Sequence, residues 1–587
     1  MTFTRYELTI PVELTSELHI GGVDPVPDHD GEGTVIRFNR NGLKEPTIPG
    51  RSIRGAVRAA CNVLWEERKL KDDPSGVFSE TNWKSLWGDD LAHHEGGSPD
   101  DLRPVRRSAL TFHAVSFPQY KDSDPGESPL PRRHGVGIDR TTGAASDGAL
   151  YEHEFLPRGT AFDIRITAEG RDGEKMGRDQ SEGIPGPASS ESVKKLLEVI
   201  VDVLTYGAVC LGGRTGSGQG TIQVIEPKLR RTGKTTDTGA LTAPADVLDA
   251  LIGEDEEGTP IPLELGGWSL EEPARIKITW WSPTGIFVAE DEKLTKQRKT
   301  AKEDENKEKG INEEVHEVIY PLRDPSVTWD EAQLLIPGTS IRGVLRSRAS
   351  RIARTVLAAR DDLKPLASHD IHEQIAAEPN LVRYMFGSTN YRGAVTVHDC
   401  LSTDPGKCIE VTHNAIDRWT GGVIDGGLFT EAVYLETKWK PIVIEVDTAR
   451  LLQNVKTESG IEGLSLDERL PFARASWCLL CISLAELSAG TLPLGGKTTR
   501  GFGQVEVTGI TLSHTDGTVI TPPDKEQLWP ASQGDGDNAV PSAAHAILAY
   551  LRRKPGDSRA YTGWADCLEP NADTRDVPPH KDVKADE

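Results

Sequence analysis

The sequence predicts an α+β fold with two copies of one ferredoxin-like domain, and three repeated segments are the main reason. The pairs are TIPGRSIRGAVR at 47–58 with LIPGTSIRGVLR at 335–346, GIDRTTG at 137–143 with AIDRWTG at 415–421, and LGGRTGSGQG at 211–220 with LGGKTTRGFGQ at 494–504. They keep their order at offsets of 288, 278 and 283 residues. This agreement indicates a duplication. The retained residues are glycine, arginine, aspartate and threonine, which are typical of a surface that faces an anionic ligand.

Strands are predicted where apolar and polar residues alternate, because alternation is typical of a strand with one buried face. Each copy opens with such a strand, and a second pair follows the IDR segments at an offset of 280 residues. The alternating residues are Tyr6, Leu8, Ile10, Val12 and Leu14, with Ile276, Ile278 and Trp280, then Phe162, Ile164 and Ile166, with Ile442, Ile444 and Val446.

The IPG segments are predicted to begin helices, since proline and glycine end the preceding strand and Ser52 or Ser340 is placed to cap. A second apolar helix is predicted over 193–209 and over 472–487, and each runs into a glycine-rich loop. A last strand follows at 221–225 or 504–510. The order strand, helix, strands, helix, strand is the β-α-β-β-α-β ferredoxin-like pattern. Helical spacing in the first copy is carried by Ile53, Val57, Ala60 and Leu64.

The predicted domain organisation is two large domains, a linker and a tail. Copy one spans 1–229, a polar linker with a short helix spans 230–270, copy two spans 271–515, and the tail spans 516–587. The densely charged segment 290–310 lacks apolar periodicity, so we expect a solvated or mobile insertion there. One helix, over 543–553, is predicted within the tail.

The 587-residue chain has a formal net charge of −24, which by itself disfavours a polyanionic partner. Acidic residues are concentrated outside the repeats, whereas the repeats are rich in arginine, so we expect a basic groove on an acidic body. No apolar run approaches the roughly 18 residues of a membrane helix, and we expect a cytoplasmic protein with no membrane partner. Cys478 and Cys481 lie in an apolar helix without a second ligand pair, so they are predicted to be buried and structural.

Basic residues at the starts of the IPG helices are candidates for binding phosphate. Free amide groups, the positive end of the helix dipole and guanidinium groups coincide there, a combination that suits phosphate oxygens. A solvated helix face is the alternative. The candidates are Arg51, Ser52, Arg54, Arg58, Arg342 and Arg346.

The glycine-rich loops run from helix to strand, whereas P-loops run from strand to helix. Gly496, Lys497 and Thr498 match the end of a Walker A motif, but Thr491 stands where its first glycine belongs. The glycines are instead predicted to permit positive φ and close approach to a bulky ligand such as a nucleic-acid backbone. The candidates in these loops are Gly213, Arg214, Thr215, Lys497, Thr498 and Arg500.

The IDR segments lie in glycine-rich stretches that are predicted to form hairpins. Two interpretations stay open for them. In the first, basic hairpins reach across a nucleic acid through Arg140 and Arg418; in the second, Asp139 pairs with Arg140 and shapes the turn. His134 and His413 lie just upstream but one position out of register, and His134 is a further candidate for nucleic-acid contact.

The ordered motifs IPG-x-S-x-[RK]-G, IDR-x-T-G and GG-[RK]-T-x-x-G-x-G resemble those of the RAMP superfamily, and within it the backbone subunits of type III CRISPR effector complexes. The resemblance covers 4–224 and 275–512, and two copies in one chain are similar to the fused backbone subunits of type III-D-like systems. It implies an RNA-recognition-type core in each copy, a groove for guide CRISPR RNA, and a hairpin thumb that kinks the guide–target duplex. Other CRISPR effector subunits are implied partners.

The resemblance also implies an aspartate that cuts complementary target RNA with Mg²⁺ or Mn²⁺, in the loop between the first strand and the strand that leads into IPG. In copy one this window holds Asp24, Asp28 and Asp30; the alignment favours Asp30, with Asp28 as the close alternative, and these two would hold the metal. Copy two departs from the pattern, because glutamates and His316 precede its matching strand. Its nearest aspartates are Asp304 and Asp291, the latter its catalytic candidate.

The leading hypothesis is a guide-RNA-binding backbone subunit that cuts complementary RNA at copy one. The alternatives are a non-catalytic guide-RNA scaffold, an endoribonuclease that processes guide precursors with a histidine, and an assembly protein that does not bind nucleic acid.

Overall fold

The computed structural model describes residues 2–22, 26–27, 34–66, 70, 77–88, 107–122, 128–172, 188–206, 209–235, 258–268, 272–290, 292–309, 317–324, 333–360, 371–459, 464–514, 519–520, 527–529, 542–552 and 563–569. Copy one has strands β1 (Thr2–Leu14), β2 (Val26–Pro27), β3 (Thr34–Ile36), β4 (Thr47–Ile48), β5 (Leu110–Phe112), β6 (Val115–Ser116), β7 (Arg132–Ile138), β8 (Ala145–Glu154), β9 (Ala161–Asp172), β10 (Ile222–Val224), β11 (Lys228–Thr235) and β12 (Thr259–Ile261). Its helices are α1 (Gly50–Glu66), α2 (Glu80–Trp87) and α3 (Ser190–Thr205).

Copy two repeats this order of elements with additions. Its strands are β13 (Ala274–Trp281), β14 (Val318–Ile319), β15 (Leu335–Ile336), β16 (Val395–Val397), β17 (Cys400–Asp404), β18 (Lys407–Ile416), β19 (Val423–Leu435), β20 (Lys438–Trp439), β21 (Ile442–Val446), β22 (Glu506–Ser513) and β23 (Gln527–Trp529). Its helices are α4 (Glu292–Glu308), α5 (Gly338–Ala359), α6 (Ile371–Ala376), α7 (Asn380–Phe386), α8 (Thr448–Ser459), α9 (Leu466–Ser488) and α10 (Ala543–Leu551).

The main sheets of the two copies have the same antiparallel topology. In copy one the strand order is β12-β11-β1-β9-β5, and β10 also pairs with β1; in copy two it is β16-β21-β13-β22-β23. Counted within each copy, the fourth strand lies beside the first, the first beside the third and the third beside the second. This is the ferredoxin-like arrangement, and the predicted fold class is confirmed.

The alternating strands and the IPG helices form the cores as predicted. Leu8, Ile10 and Val12 on β1 are fully buried, as are Ile53, Val57 and Leu64 on α1. In copy two, α9 runs through the core and contacts α5, α7, α8 and α10. Cys478 and Cys481 are buried on this helix, which agrees with the structural role predicted for them.

Helix α9 is also the one helix among the described residues that is long and apolar enough to cross a membrane. Its apolar window is 67% buried inside the protein. Burial against four other helices is the position of a core helix, because a membrane-spanning helix would expose that surface to lipid.

Two local expectations were wrong. Neither predicted serine is an N-cap, because α1 begins at Gly50 and α5 at Gly338, two residues before Ser52 and Ser340. The N-cap of α5 is Pro337, which makes no side-chain cap bond. Part of the predicted linker belongs to the copy-one sheet, because β11 pairs with β1 and β12 pairs with β11. β10 pairs only with the C-terminal end of β1. The rest of that edge of β1 pairs with β11.

The charged insertion in copy two contains the helix α4, whose described side chains are mostly exposed, as expected of a solvated insertion. This helix has no apolar stripe, so its stability depends on local ion pairs. Lys307 lies 3.1 Å from Asp304, and Lys309 pairs with Glu305 one turn away. The helix predicted within the tail is confirmed as α10, and its Tyr550 lies 3.3 Å from Nε1 of Trp477 on α9.

Candidate nucleic-acid interface

Two of the three repeated motifs, the IPG helix start and the glycine loop, meet at one concave surface in copy one. A cavity of about 480 Å³ lies between the end of the first strand, the start of α1 and the glycine loop, and copy two closes it on one side. Its lining residues are Ile20, Gly21, Ser52, Gly55, Ala56, Cys210, Gly212, Gly213, Thr215 and, from copy two, Arg392. Segments that are far apart in sequence thus form a single cleft that contains three of the predicted contact residues.

The two glycine loops share one unusual backbone conformation. Arg214 and Lys497 have φ angles of 56° and 57°, a left-handed conformation that non-glycine residues rarely adopt. Each precedes a 3-10 turn, at Thr215–Ser217 or Thr498–Arg500. Gly212 must be glycine, because an added Cβ would lie 2.3 Å from the carbonyl oxygen of His19. The loops therefore hold two cationic side chains in defined directions.

Each of these cations is oriented by an aromatic ring. The guanidinium of Arg214 lies 4.7 Å from the centre of the Tyr151 ring, and its Nη1 donates a 3.0 Å hydrogen bond to the Tyr151 hydroxyl. Lys497 Nζ lies 4.1 Å from the centre of the Phe287 ring and pairs with the buried carboxylate of Glu431. Arg214 therefore keeps donors for a ligand, whereas Lys497 already has an anionic partner.

The IDR hairpins, β7–β8 and β18–β19, are named the thumb hairpins of copies one and two. Asp139 Oδ1 accepts hydrogen bonds from the amides of Thr141 and Thr142, at 2.7 and 3.3 Å. Asp417 accepts the equivalent bonds, both at 2.8 Å. The aspartate therefore shapes the turn through backbone amides, as the second interpretation expected of its role in the turn, although Arg140 itself pairs with Glu378.

The thumb arginines face different surroundings. Arg140 reaches copy two and pairs with Glu378, whereas Arg418 is exposed. Upstream, His134 Nε2 lies 3.4 Å from Glu152 Oε1, and His413 Nε2 lies 3.5 Å from Glu431 Oε2. Both histidines thus lie beside a buried glutamate of the neighbouring strand, although they occupy different registers.

Comparison with protein families matches residues 12–223 and 334–506 to the RAMP superfamily. These segments cover more than half of the chain, one in each copy. The chain belongs to the RAMP superfamily. Membership implies a CRISPR RNA-binding protein that carries two RAMP domains in tandem. A comparison with curated proteins found no match.

The arginines of the IPG helices contact protein in both RAMP domains. Arg54 Nη2 donates a 2.5 Å hydrogen bond to the carbonyl oxygen of Trp87, and Arg342 makes the equivalent bond to Phe386. Each bond satisfies a carbonyl at the C-terminal end of a short helix. Arg346 binds both Glu378 and the carbonyl oxygen of Gly387. Their predicted phosphate contacts remain predictions, and the structure adds a packing role.

Arg51, by contrast, is exposed at the start of α1, while Ser52 and Arg58 are half-buried. In the RAMP domain of copy two, Arg500 is exposed and lies 5.7 Å from the centre of the Phe429 ring. Thr498 is half-buried on the same loop. Arg51 and Arg214 are therefore the predicted cations best placed to meet an incoming phosphate in copy one.

A buried polar cluster beside the glycine loop was not predicted. Arg133 pairs with Glu17 at 2.6 Å and with Asp399 of the second RAMP domain at 3.0 Å. Burial raises the pKa of Glu17 to about 8 although Arg133 lowers it. The rings of His19 and His153 lie 5.3 Å apart, and burial lowers the pKa of His153 to about 2. None of these residues is repeated between the copies, so comparison of the repeats could not reveal them.

The predicted catalytic residues Asp24, Asp28, Asp30 and Asp291 lie outside the described residues. Within the described part of the chain, no group of three or more His, Cys, Asp or Glu side chains could hold a metal ion. In copy two, Glu290 is the described start of the equivalent window, and its role is structural. Glu290 is buried and binds Arg298 Nη2 of α4 at 2.6 Å. This carboxylate therefore anchors the insertion.

Proposed function

We propose that this chain is a tandem backbone subunit of a type III CRISPR ribonucleoprotein, of the III-D-like kind, and acts in the cytoplasm. It binds guide RNA along both RAMP domains. It cuts complementary target RNA at copy one with an aspartate of the 24–30 window and Mg²⁺ or Mn²⁺.

The observation that carries guide binding is that the start of the IPG helix and the glycine loop, two of the three repeated motifs, meet at the cleft of copy one. Exposed Arg51 stands at the positive end of α1 next to the lining residue Ser52, and Arg214, oriented by Tyr151, lies next to the lining residue Gly213. The glycine positions allow a backbone to approach closely. This set of groups suits contacts with phosphates and 2′-hydroxyls and includes few groups that could bind base edges. We therefore expect RNA recognition that is independent of sequence.

The assignment of cutting to copy one rests on the difference between the two windows. Copy one offers the carboxylates of Asp24, Asp28 and Asp30, which are hard oxygen ligands of the kind that Mg²⁺ prefers. In copy two the window opens with Glu290, whose carboxylate is committed to Arg298. The metal would supply charge stabilisation at the scissile phosphate. Asp30 or Asp28 would position it and orient the attacking 2′-hydroxyl or water.

A guide-precursor-processing endoribonuclease is the second candidate, and the pairing of His134 with Glu152 favours it. A histidine beside a carboxylate is a common arrangement for acid–base chemistry. His134→Ala would abolish precursor processing if this candidate were right, and would leave metal-dependent target cutting in place if the leading proposal is right.

Guide binding is tested by purifying the full chain after expression with a guide locus and measuring the short RNA that copurifies. The account predicts bound RNA on the parent chain and a large loss in the Arg51→Gln, Arg214→Gln double variant. Arg5→Gln is the matched control, because Arg5 pairs with Glu169 on the outer sheet. A chain that purifies without RNA, or a double variant that retains all of it, would contradict the proposal.

A further inference from the structure

The helix α4 lies outside the family pattern. The RAMP superfamily matches residues 12–223 and 334–506, and α4 falls in the gap between them. Its composition also separates it from copy one, where the window between Gly22 and Thr34 contains four acidic residues and no lysine or arginine. The helix is instead rich in lysine. Its role therefore has to be inferred from its own position and charges.

The helix is inserted at the window that holds the predicted catalytic aspartates in copy one. One backbone hydrogen bond closes this window in each copy. Gly22 N donates to Arg37 O at 2.9 Å in copy one. Glu290 N donates to Tyr320 O at 3.0 Å in copy two. If copy one presents its window to the target strand, the window of copy two faces the same strand, and in this respect the inference rests on the proposed function.

The first turns of α4 are fixed to the body of copy two. Arg298 Nη2 binds the buried carboxylate of Glu290 at 2.6 Å, and the Arg298 guanidinium lies 5.3 Å from the centre of the Tyr320 ring. The chain just before the helix is fixed as well, because Phe287 O accepts a 2.7 Å hydrogen bond from Gly496 N of the glycine loop. The helix therefore starts at a defined place beside the glycine loop of copy two.

Two lysines lie one helical turn beyond these anchors. Residues four apart share a face of a helix, so Lys299 lies on the same side as Thr295. Lys302 lies on the same side as Arg298 by the same spacing. Thr295 is only 2% exposed, whereas Lys299 is half-buried and Lys302 is exposed. Among the described residues neither lysine forms an ion pair with a carboxylate, so both ammonium groups keep their charge for a partner.

The charges of α4 are ordered along the helix. Its sequence from 293 to 302 contains five basic residues and no acidic one, whereas 303 to 308 contains four acidic residues and one lysine. The acidic half has its own cations, because Lys307 lies 3.1 Å from Asp304 and Lys309 pairs with a glutamate one turn away. An isolated helix is stabilised by the opposite order, with acidic residues first and basic residues last. Helix stability therefore does not account for the basic half.

We propose that the basic half of α4 binds the phosphate backbone of the target RNA strand, so that copy two holds this strand at its window without cutting it. Lysine ammonium groups are compact charges on flexible stems, which suit phosphates and require no particular base sequence. Lys299 and Lys302 add to exposed Arg500 on the neighbouring glycine loop. Copy one needs a divalent metal to bring a phosphate to its acidic window, whereas copy two supplies positive charge from its own side chains.

The test uses the full chain copurified with guide RNA and measures its affinity for a complementary target by fluorescence anisotropy at several salt concentrations. The variant Lys299→Gln, Lys302→Gln should lower target affinity and flatten the slope of log affinity against log salt by about 0.7 to 0.9 for each lost contact. Glutamine is a good helix former, so α4 is kept. The variant Lys299→Arg, Lys302→Arg should bind target as the parent chain does.

The matched control is Lys307→Gln, Lys309→Gln, which removes the same charge from the same helix where the lysines are already paired with acidic residues. It should leave target affinity and the salt slope unchanged. The amount of copurified guide should be equal in all variants, which separates contact with the target strand from contact with the guide. In addition, a photo-crosslinking amino acid at Lys302 should attach to labelled target RNA, whereas one at Lys309 should not.

Several outcomes would overturn the inference. Equal effects of the two glutamine variants would mean that only the net charge of the chain matters. Target affinity unchanged by Lys299→Gln, Lys302→Gln in complexes that carry guide, or a loss of guide in its place, would remove α4 from the target strand. Crosslinks from Lys302 to protein alone would assign the helix to a protein partner. A parent chain that purifies without guide RNA would overturn the proposed function, and the inference with it.

Discussion

Arg133 Nη2 lies 3.0 Å from Asp399 Oδ2, and this ion pair joins the two RAMP domains beneath the glycine loop. Arg133 is only 4% exposed and also binds Glu17, so a single guanidinium binds carboxyl groups from both copies. The cleft of copy one is closed by copy two in the same region, through Arg392. The shape of the candidate RNA site thus depends on how the two domains are held together.

Replacement of Arg133 by methionine should destabilise the protein strongly. It leaves Glu17 and Asp399 facing each other without their cation, and breaking a buried pair from one side costs about 3 kcal/mol. Chemical denaturation measures the free energy of unfolding. Arg5→Met is the control, since its pair with Glu169 is more than a third exposed and we expect a loss below about 1 kcal/mol. Equal losses in the two variants would show that the Arg133–Asp399 pair contributes no more to the free energy of unfolding than the exposed pair of Arg5 and Glu169.

Stability should fall as the solution becomes acidic, because burial lowers the pKa of His153 from 6.5 to about 2. Arg214, His19, Arg133 and His134 lower it further. Below pH 6.5 the unfolded chain binds a proton at His153 that the folded chain does not bind. The free energy of unfolding therefore falls by about 1.4 kcal/mol per pH unit below pH 6.5, whereas above pH 6.5 His153 causes no such loss. His153→Phe should flatten the measured pH dependence of unfolding. His113→Phe, at an exposed site, should not, and an unchanged slope in His153→Phe would contradict the assignment.

The glycines of the two loops provide a matched pair. Gly218 and Gly501 both have positive φ, 76° and 96°, so alanine strains the backbone at each. Only Gly218 faces copy two, with His398 Cα at 2.9 Å from an added Cβ, whereas nothing lies within 4 Å at Gly501. Gly218→Ala should therefore lower the free energy of unfolding by about 1 to 3 kcal/mol more than Gly501→Ala. Equal effects would mean that the loop does not pack against copy two.

Guide RNA should be held chiefly through phosphate contacts, and Arg51 and Arg214 should make them. Each lost contact should flatten the slope of log affinity against log salt by about 0.7 for single-stranded RNA. Arg51→Gln should do this without loss of stability. Arg54→Gln instead removes the bond to the Trp87 carbonyl and should lower the free energy of unfolding by about 1 to 2 kcal/mol. A salt slope unchanged by Arg51→Gln would remove that residue from the site.

The repeated features of the fold could be predicted from the sequence, whereas several of the unrepeated ones could not. Alternation placed Leu8 and Ile10 in the core because one face of β1 packs on helices. Alternation could not predict β11, because its sequence is polar and it joins the sheet by pairing with the open edge of β1. Ser340 shows the limit of local rules, since the helix already begins at Gly338 and leaves this serine inside the first turn.

The candidate site was predicted in outline. Motif comparison singled out Arg214 and Gly213 because both copies keep that loop, and their contact with RNA stays a prediction. It assigned Arg54 and Arg342 to RNA although both bind the end of a neighbouring helix, a contact that depends on tertiary structure. It missed Arg133 and Asp399 because each occurs in only one copy.

The most direct test of the account is the position of the cuts in a complementary target. The assembled complex would be given end-labelled target RNA with Mg²⁺, and the products would be sized. Asp30→Ala, or Asp28→Ala if the alignment slips by two residues, should abolish a metal-dependent cut while guide and target still bind. Asp291→Ala should leave the cutting pattern intact. Cutting that survives combined replacement of Asp24, Asp28 and Asp30, or a cut lost in Asp291→Ala, would contradict the assignment of the nuclease to copy one.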